Sequence, residues 1–105
     1  MTRYIIADAD AAKGSGWLHY FEEEGRFVER ETRFAFDTDF GRLAQLDIRR
    51  GPKWQAATTD EIANLEDSLV EANPEALVEP EAWGLTVSDE LPDWALEADQ
   101  SPAPL

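Results

Sequence analysis

The chain has 105 residues, enough for one hydrophobic core and too few for a second domain of any size. It contains no cysteine, which excludes a disulfide framework and a thiolate metal site. Its 23 acidic side chains against 9 basic give a net charge of −14, a surface that repels nucleic acid and anionic membranes and attracts basic proteins.

In chain order, residues 4–8 read as a first strand, with Tyr4, Ile5 and Ile6 as its apolar part. That run is too short for a signal-peptide core and is interrupted by Asp8 and Asp10, and no stretch approaches the roughly 20 apolar residues of a membrane span, so a cytoplasmic protein is expected. Lys13-Gly14-Ser15-Gly16 reads as a loop. Residues 17–22 alternate, with Trp17, His19 and Phe21 on one face and Leu18 and Tyr20 on the other. Glu24-Gly25 is a tight hairpin turn, because glycine tolerates positive φ. Residues 26–36 return as a third strand. Val28, Arg30, Thr32, Phe34 and Phe36 share one face, and Phe27, Glu29, Glu31 and Arg33 share the other. A loop at 37–41 leads to a fourth strand at 43–49, with Ala44, Leu46 and Ile48 facing in and Gln45, Asp47 and Arg49 facing out.

Gly51-Pro52 is expected to break the sheet, with residues 54–57 as a short buried connector. A helix then opens at Thr58. Thr58 and Glu61 have capping-box spacing, and Asp60 and Glu61 suit the positive end of the helix dipole. Ile62, Leu65, Leu69 and Ala72 form its apolar stripe, and Asn73-Pro74 should end it. Beyond residue 77 the chain is acidic and punctuated by proline. A short amphipathic helix is expected over residues 92–98 from the spacing of Leu91, Trp94, Ala95 and Ala98, and the last five residues read as a disordered end.

Catalytic patterns are sparse. His19 is the only histidine and sits among aromatics, with no nucleophile-elbow pattern beside it. Asp8-Ala9-Asp10 after an apolar strand is similar to the aspartate pair of haloacid-dehalogenase-like phosphotransferases. Those domains need a doubly wound parallel sheet and further acidic and lysine motifs, so the pair reads as a strand end entering a turn. Asp37, Asp39 and Gly41 resemble part of a calcium loop but lack its later ligands. Lys13 precedes its glycines, so the segment is not a P-loop. No catalytic residue, metal site or cofactor is expected.

The distribution of charge is more informative than its total. Residues 1–53 hold all 9 basic side chains and 10 acidic ones. Residues 54–105 hold 13 acidic side chains and no lysine or arginine. Such asymmetry between halves points to an electrostatic partner. The expected fold is α+β: a small antiparallel sheet of three to four strands with one principal helix packed on it and an acidic C-terminal extension. Residues 1–77 form the domain and 78–105 the extension. The expected function is non-catalytic binding of a basic protein, in its sharpest form as a nucleic-acid mimic that inhibits a nucleic-acid-binding protein. Asp60, Asp67, Glu71, Glu75, Glu79 and Glu81 supply the charge, and Trp83 and Trp94 act as anchors. The alternative is an adaptor or immunity-type protein that docks through its acidic-aromatic C-terminal segment, and a small enzyme ranks third. Direct nucleic-acid binding is not expected. The arginines of the sheet (Arg26, Arg30, Arg33, Arg42, Arg49 and Arg50) would pair with the acidic half or across a homodimer.

Overall fold

The computed structural model describes residues 3–8 and 17–95. The Asp10, Lys13-to-Gly16 and Ala98 readings and the expected disordered end lie outside these residues. Among the described residues six strands form one antiparallel sheet: β1 (Tyr4–Ala7), β2 (Trp17–Glu23), β3 (Arg26–Asp37), β4 (Arg42–Arg50), β5 (Lys53–Ala56) and β6 (Thr86–Ser88).

The long strand β3 is the spine. Its first half pairs with β2, from Glu23↔Arg26 to Trp17↔Thr32, and its second half pairs with β1, from Ala7↔Phe34 to Tyr4↔Asp37. β1 and β2 therefore occupy consecutive stretches of the same edge of β3. β4 takes the other edge, β5 adds to β4, and β6 adds to β1.

The expected sheet of three to four strands with an acidic extension is corrected by this topology: the structure is mostly sheet, with six strands among the described residues. Two of them are new. Gly51, at φ 65°, and Pro52 do not end the sheet but turn the chain back, so that Lys53 pairs with Arg50 and β5 replaces the expected buried connector. β6 lies inside the expected extension. Gly84, at φ 78°, reverses the chain after Trp83, and Thr86 to Ser88 pair with Ile6 to Tyr4, far away in sequence.

The register also corrects one strand face. A bulge between Ala35 and Phe36 sets Ala35 opposite Gln45 but Phe36 opposite Leu43. Ala44 is the extra residue and is exposed, and Leu43 is buried in its place. Elsewhere the alternation holds. Ile5, Ala7, Phe21, Phe34, Phe36, Leu46 and Ile48 line one face of the sheet and pack with Leu65, Leu69, Ala76 and Leu85. Truncating a fully buried leucine such as Leu69 to alanine removes about 2–5 kcal/mol in sites of this kind.

The main helix spans residues 59–72. It begins as α1 (Thr59–Asp67) with the expected capping box: Glu61 donates its N–H to Thr58 Oγ1 at 3.2 Å, and Thr58 donates its N–H to Glu61 Oε1 at 2.9 Å. From Ser68 to Ala72 the helix widens to π geometry, and Asn73 donates its N–H to the Ser68 carbonyl at 2.8 Å. The wider turn rotates the buried stripe. Ala72 is exposed, and Ala76 in the following helix α2 (Glu75–Val78) takes the buried position. A 3-10 turn, Pro80–Trp83, connects to β6.

The described residues cover the opposite face of the sheet only in part. Ile6, Ala35 and Ala95 are buried there, the last in a helical turn at residues 93–95 that lies within the segment expected to be helical.

Candidate protein-interaction surface

Charge is organised differently on the two sides of the chain's midpoint. In the sheet, Arg30, Arg33, Arg49 and Arg50 are matched to acids. Arg30 donates Nε and a terminal N–H to the two oxygens of Glu23, at 3.1 and 2.7 Å. Arg50 donates to Glu23 at 3.0 Å and to Glu61 at 2.7 Å. This four-residue network ties the β2–β3 hairpin, the end of β4 and the first turn of α1 together. The Arg30 hydrogen bonds, with those of Arg50, hold the Glu23 carboxyl down at about 2 from 4.5, against the opposing effect of burial. Burial pushes Glu61 up, but the Thr58 N–H and Arg50 outweigh it and leave Glu61 below its ordinary value. Arg49 meets Glu31 at 3.1 Å on the more exposed side.

The most buried pair lies on the second face. Arg33 Nε donates to Asp47 Oδ2 at 2.9 Å, with side-chain exposures of 14% and 7%. Gln45 Nε2 donates to the other Asp47 oxygen at 2.7 Å. The Arg33 guanidinium lies between two tryptophans, 4.7 Å from the ring centroid of Trp54 and 4.7 Å from that of Trp94. Trp94, expected as a partner anchor, is thus half-buried on this protein's own sheet, and its indole N–H is buried with no acceptor among the described residues.

The acidic half is arranged otherwise. Asp60, Asp67, Glu71, Glu75, Glu79 and Glu81 are all exposed, and none makes an ion pair among the described residues. The same holds for Asp89, Glu90 and Asp93. Of the carboxylates from residue 54 to 95, Glu61 alone among the described residues is ion-paired, and Glu66 caps the Leu43 N–H at 3.2 Å. Among the described residues, Arg50 reaches the acidic half, at Glu61, while Arg30, Arg33 and Arg49 meet acids within the sheet.

Trp83 differs from Trp94. It stacks on Trp17 with ring centroids 5.9 Å apart and planes 21° apart, and Trp17 meets Phe34 edge-on. Trp83 remains 44% exposed, beside exposed Val78 and Val87 on the same acidic stretch. Trp83 and Trp94 sit on opposite faces of the sheet, so they do not form one anchor. A cleft of about 390 Å³ between Pro74, Glu75, Val78 and Glu79 adds a small concavity to the acidic side.

The other motifs resolve into local structure. The Asp37 carboxylate accepts the N–H groups of Asp39 (2.9 Å) and Phe40 (3.2 Å), which closes the β3–β4 turn. His19 Nε2 lies 2.7 Å from Asn64 Oδ1 and its ring sits edge-on to Phe21, so it links β2 to α1. Among the described residues no group of three or more His, Asp or Glu could hold a metal ion, and no helix is long and apolar enough to cross a membrane. Comparison of the chain with protein-family models, curated proteins and solved structures gives no match.

Proposed function

We propose that this chain is a non-catalytic cytoplasmic protein that presents its acidic half to a basic protein, acting as a nucleic-acid mimic toward a nucleic-acid-binding partner. The observation that supports this reading is the contrast in pairing. Exposed carboxylates from Asp60 to Glu81 run along the main helix and the turns after it without a cation partner among the described residues, while four arginines of the sheet are matched. Duplex DNA shows roughly one negative charge per 1.7 Å of axis, and a Lys/Arg surface evolved for phosphate can be met by closely spaced carboxylates. Trp83, with one face exposed among these acids, supplies an apolar contact.

The test is capture of host nucleic-acid-binding proteins on the immobilised chain at low salt, followed by competition with duplex DNA. Release of the retained protein by DNA, and loss of retention in Asp67→Lys/Glu71→Lys, are expected. Retention that DNA cannot displace, or that survives the charge reversal, removes the mimic reading.

A second reading, an adaptor docking through the acidic-aromatic C-terminal segment, is favoured by the exposed ring of Trp83 but not by Trp94, which is stacked on Arg33. Deleting residues 88–105 would not separate the two readings, because it removes part of β6 and buried Ala95. Trp83→Ser separates them: the adaptor loses its partner, and the mimic keeps most of its affinity.

A further inference from the structure

Among the described residues, β2 pairs with β3 alone, and no strand covers its outer edge. The turn that joins them has positive φ at both Glu24 (52°) and Gly25 (78°), which is type I′ geometry and makes Glu23↔Arg26 a hydrogen-bonded closing pair. Hydrogen-bonded positions then recur at Phe21, His19 and Trp17. The alternate residues, Leu18, Tyr20 and Glu22, direct their N–H and C=O groups to the outer edge, where no backbone group of the described residues meets them.

The side chains at this edge are equally open. Leu18 is 59% exposed, Tyr20 57% and Phe27, diagonal to Tyr20 on β3, 74%. The helix covers the other face of this hairpin, and the tryptophan-covered part of this face lies farther along, at Arg33. Natural edge strands are protected by charged side chains, lysine above all, and by proline, bulges or a covering element, and a wholly acidic set of charges repels acidic strands while admitting a basic one. Residues 17–23 contain no lysine or proline, and their pairing with β3 has no shift in register. The nearby charges are negative: Glu22, Glu24 and Glu29 are exposed around Tyr20 and Phe27.

We propose that the open edge of β2 is a docking site for an extended, basic segment of a partner protein, which adds to the sheet as a further strand. Same-face residues of such a strand alternate, so the segment carries apolar side chains against Leu18 and Tyr20 and a lysine or arginine against Glu22, at positions i, i+2 and i+4. Backbone hydrogen bonds to residues 18, 20 and 22 supply affinity, and the Glu22 contact selects for positive charge. A second copy of this chain fits less well. It carries −14 itself, and antiparallel pairing centred on Tyr20 would set Glu22 opposite Leu18 rather than opposite a lysine or arginine. The inference rests on the reading of a basic partner but places a contact apart from the helical carboxylates.

The experiment uses the full chain and two synthetic peptides of identical composition. One has Val, Val and Lys at alternate positions separated by threonine, with proline outside the alternating run. In the other, proline interrupts the run. Titration is read by affinity and by hydrogen exchange at the amides of Leu18, Tyr20 and Glu22. At least a tenfold preference for the uninterrupted peptide is expected, with slowed exchange at those three amides. Leu18→Lys should abolish the preference, and Tyr20→Thr, which keeps strand propensity, should weaken it; both positions are exposed, and an unchanged melting temperature confirms folding. Asp67→Lys/Glu71→Lys should leave the preference intact, which separates this site from the acidic helix. Equal affinity for both peptides without protection in β2 overturns the edge site and leaves only general charge attraction. A dimer in sedimentation that Leu18→Lys dissociates also overturns it, because a second copy then holds the edge.

Discussion

The two halves of this chain use carboxylates for opposite purposes. In the sheet, Asp47, Glu23 and Glu31 each hold an arginine, and Asp37 holds a turn. In residues 59–93 the exposed acids hold nothing within the described residues. A charge that is buried and paired is part of the fold, and removing it leaves its partner without compensation. A charge that is solvated and unpaired contributes little to stability, and it stays available to solvent or to another molecule. The comparison teaches that net charge alone says little about role, and that pairing distinguishes structural acids from available ones.

The strongest way to break this contrast is at Asp47. Asp47→Ala leaves Arg33 held between Trp54 and Trp94 without the carboxylate, and also strands the Gln45 amide. A loss of about 2–3 kcal/mol in urea unfolding is expected, somewhat less than for a fully buried ion because both side chains retain slight solvent contact. A loss below 0.5 kcal/mol would mean that the sheet does not depend on its charges.

Glu23 gives a smaller effect with a pH signature. Its carboxyl titrates near 2 in the folded protein against 4.5 in the ordinary state. A depressed value stabilises the folded form fully above about 4.5, and the contribution disappears as pH falls toward 2. Glu23→Gln should therefore cost about 1 kcal/mol at pH 7, discounted for the partial exposure of the network. The gap between variant and parent should narrow from about pH 4.5 downward and close near pH 2, as read from urea midpoints along a pH series. A gap that stays constant with pH would assign the effect to packing rather than charge.

Much of this arrangement was legible where the cause is local. The Thr58–Glu61 capping box, the Glu24-Gly25 turn and the alternating faces of β2 and β3 follow from neighbouring residues, and the structure has all three. What was not legible depends on pairing at long range. β6 is three residues set among prolines and acids, and it exists because β1 leaves an edge for it. The Arg33–Asp47 pair depends on the register of β3 against β4, in which a bulge adds Ala44. Read as an outward face, Arg33, Gln45 and Asp47 gave no reason to expect two tryptophans above them. The clue was Trp54 and Trp94 themselves, since large rings in an otherwise polar stretch need a surface to cover. Among the candidate site residues, the carboxylates are exposed as expected, Trp83 is partly so, and Trp94 is engaged internally.

The smallest expected effect is the one that sharpens the contrast most. Asp67 and Glu71 lie one turn apart where α1 passes into its wider segment, exposed and without a cation partner among the described residues. Neutralising both, as Asp67→Asn/Glu71→Gln, removes a like-charge neighbour pair that costs a few tenths of a kcal/mol on a helix surface. Stability should therefore stay within about 0.5 kcal/mol of the parent and shift upward if it shifts at all, most clearly at low salt, where the Debye length exceeds the separation of the two groups. The sign matters because a structural acid and an available acid predict opposite directions. If the double variant loses more than 1 kcal/mol, these carboxylates belong to the fold as Asp47 does. If it gains slightly while partner binding falls, the acidic helix is maintained against its own repulsion, which is the expected condition of a surface shaped for something outside the molecule.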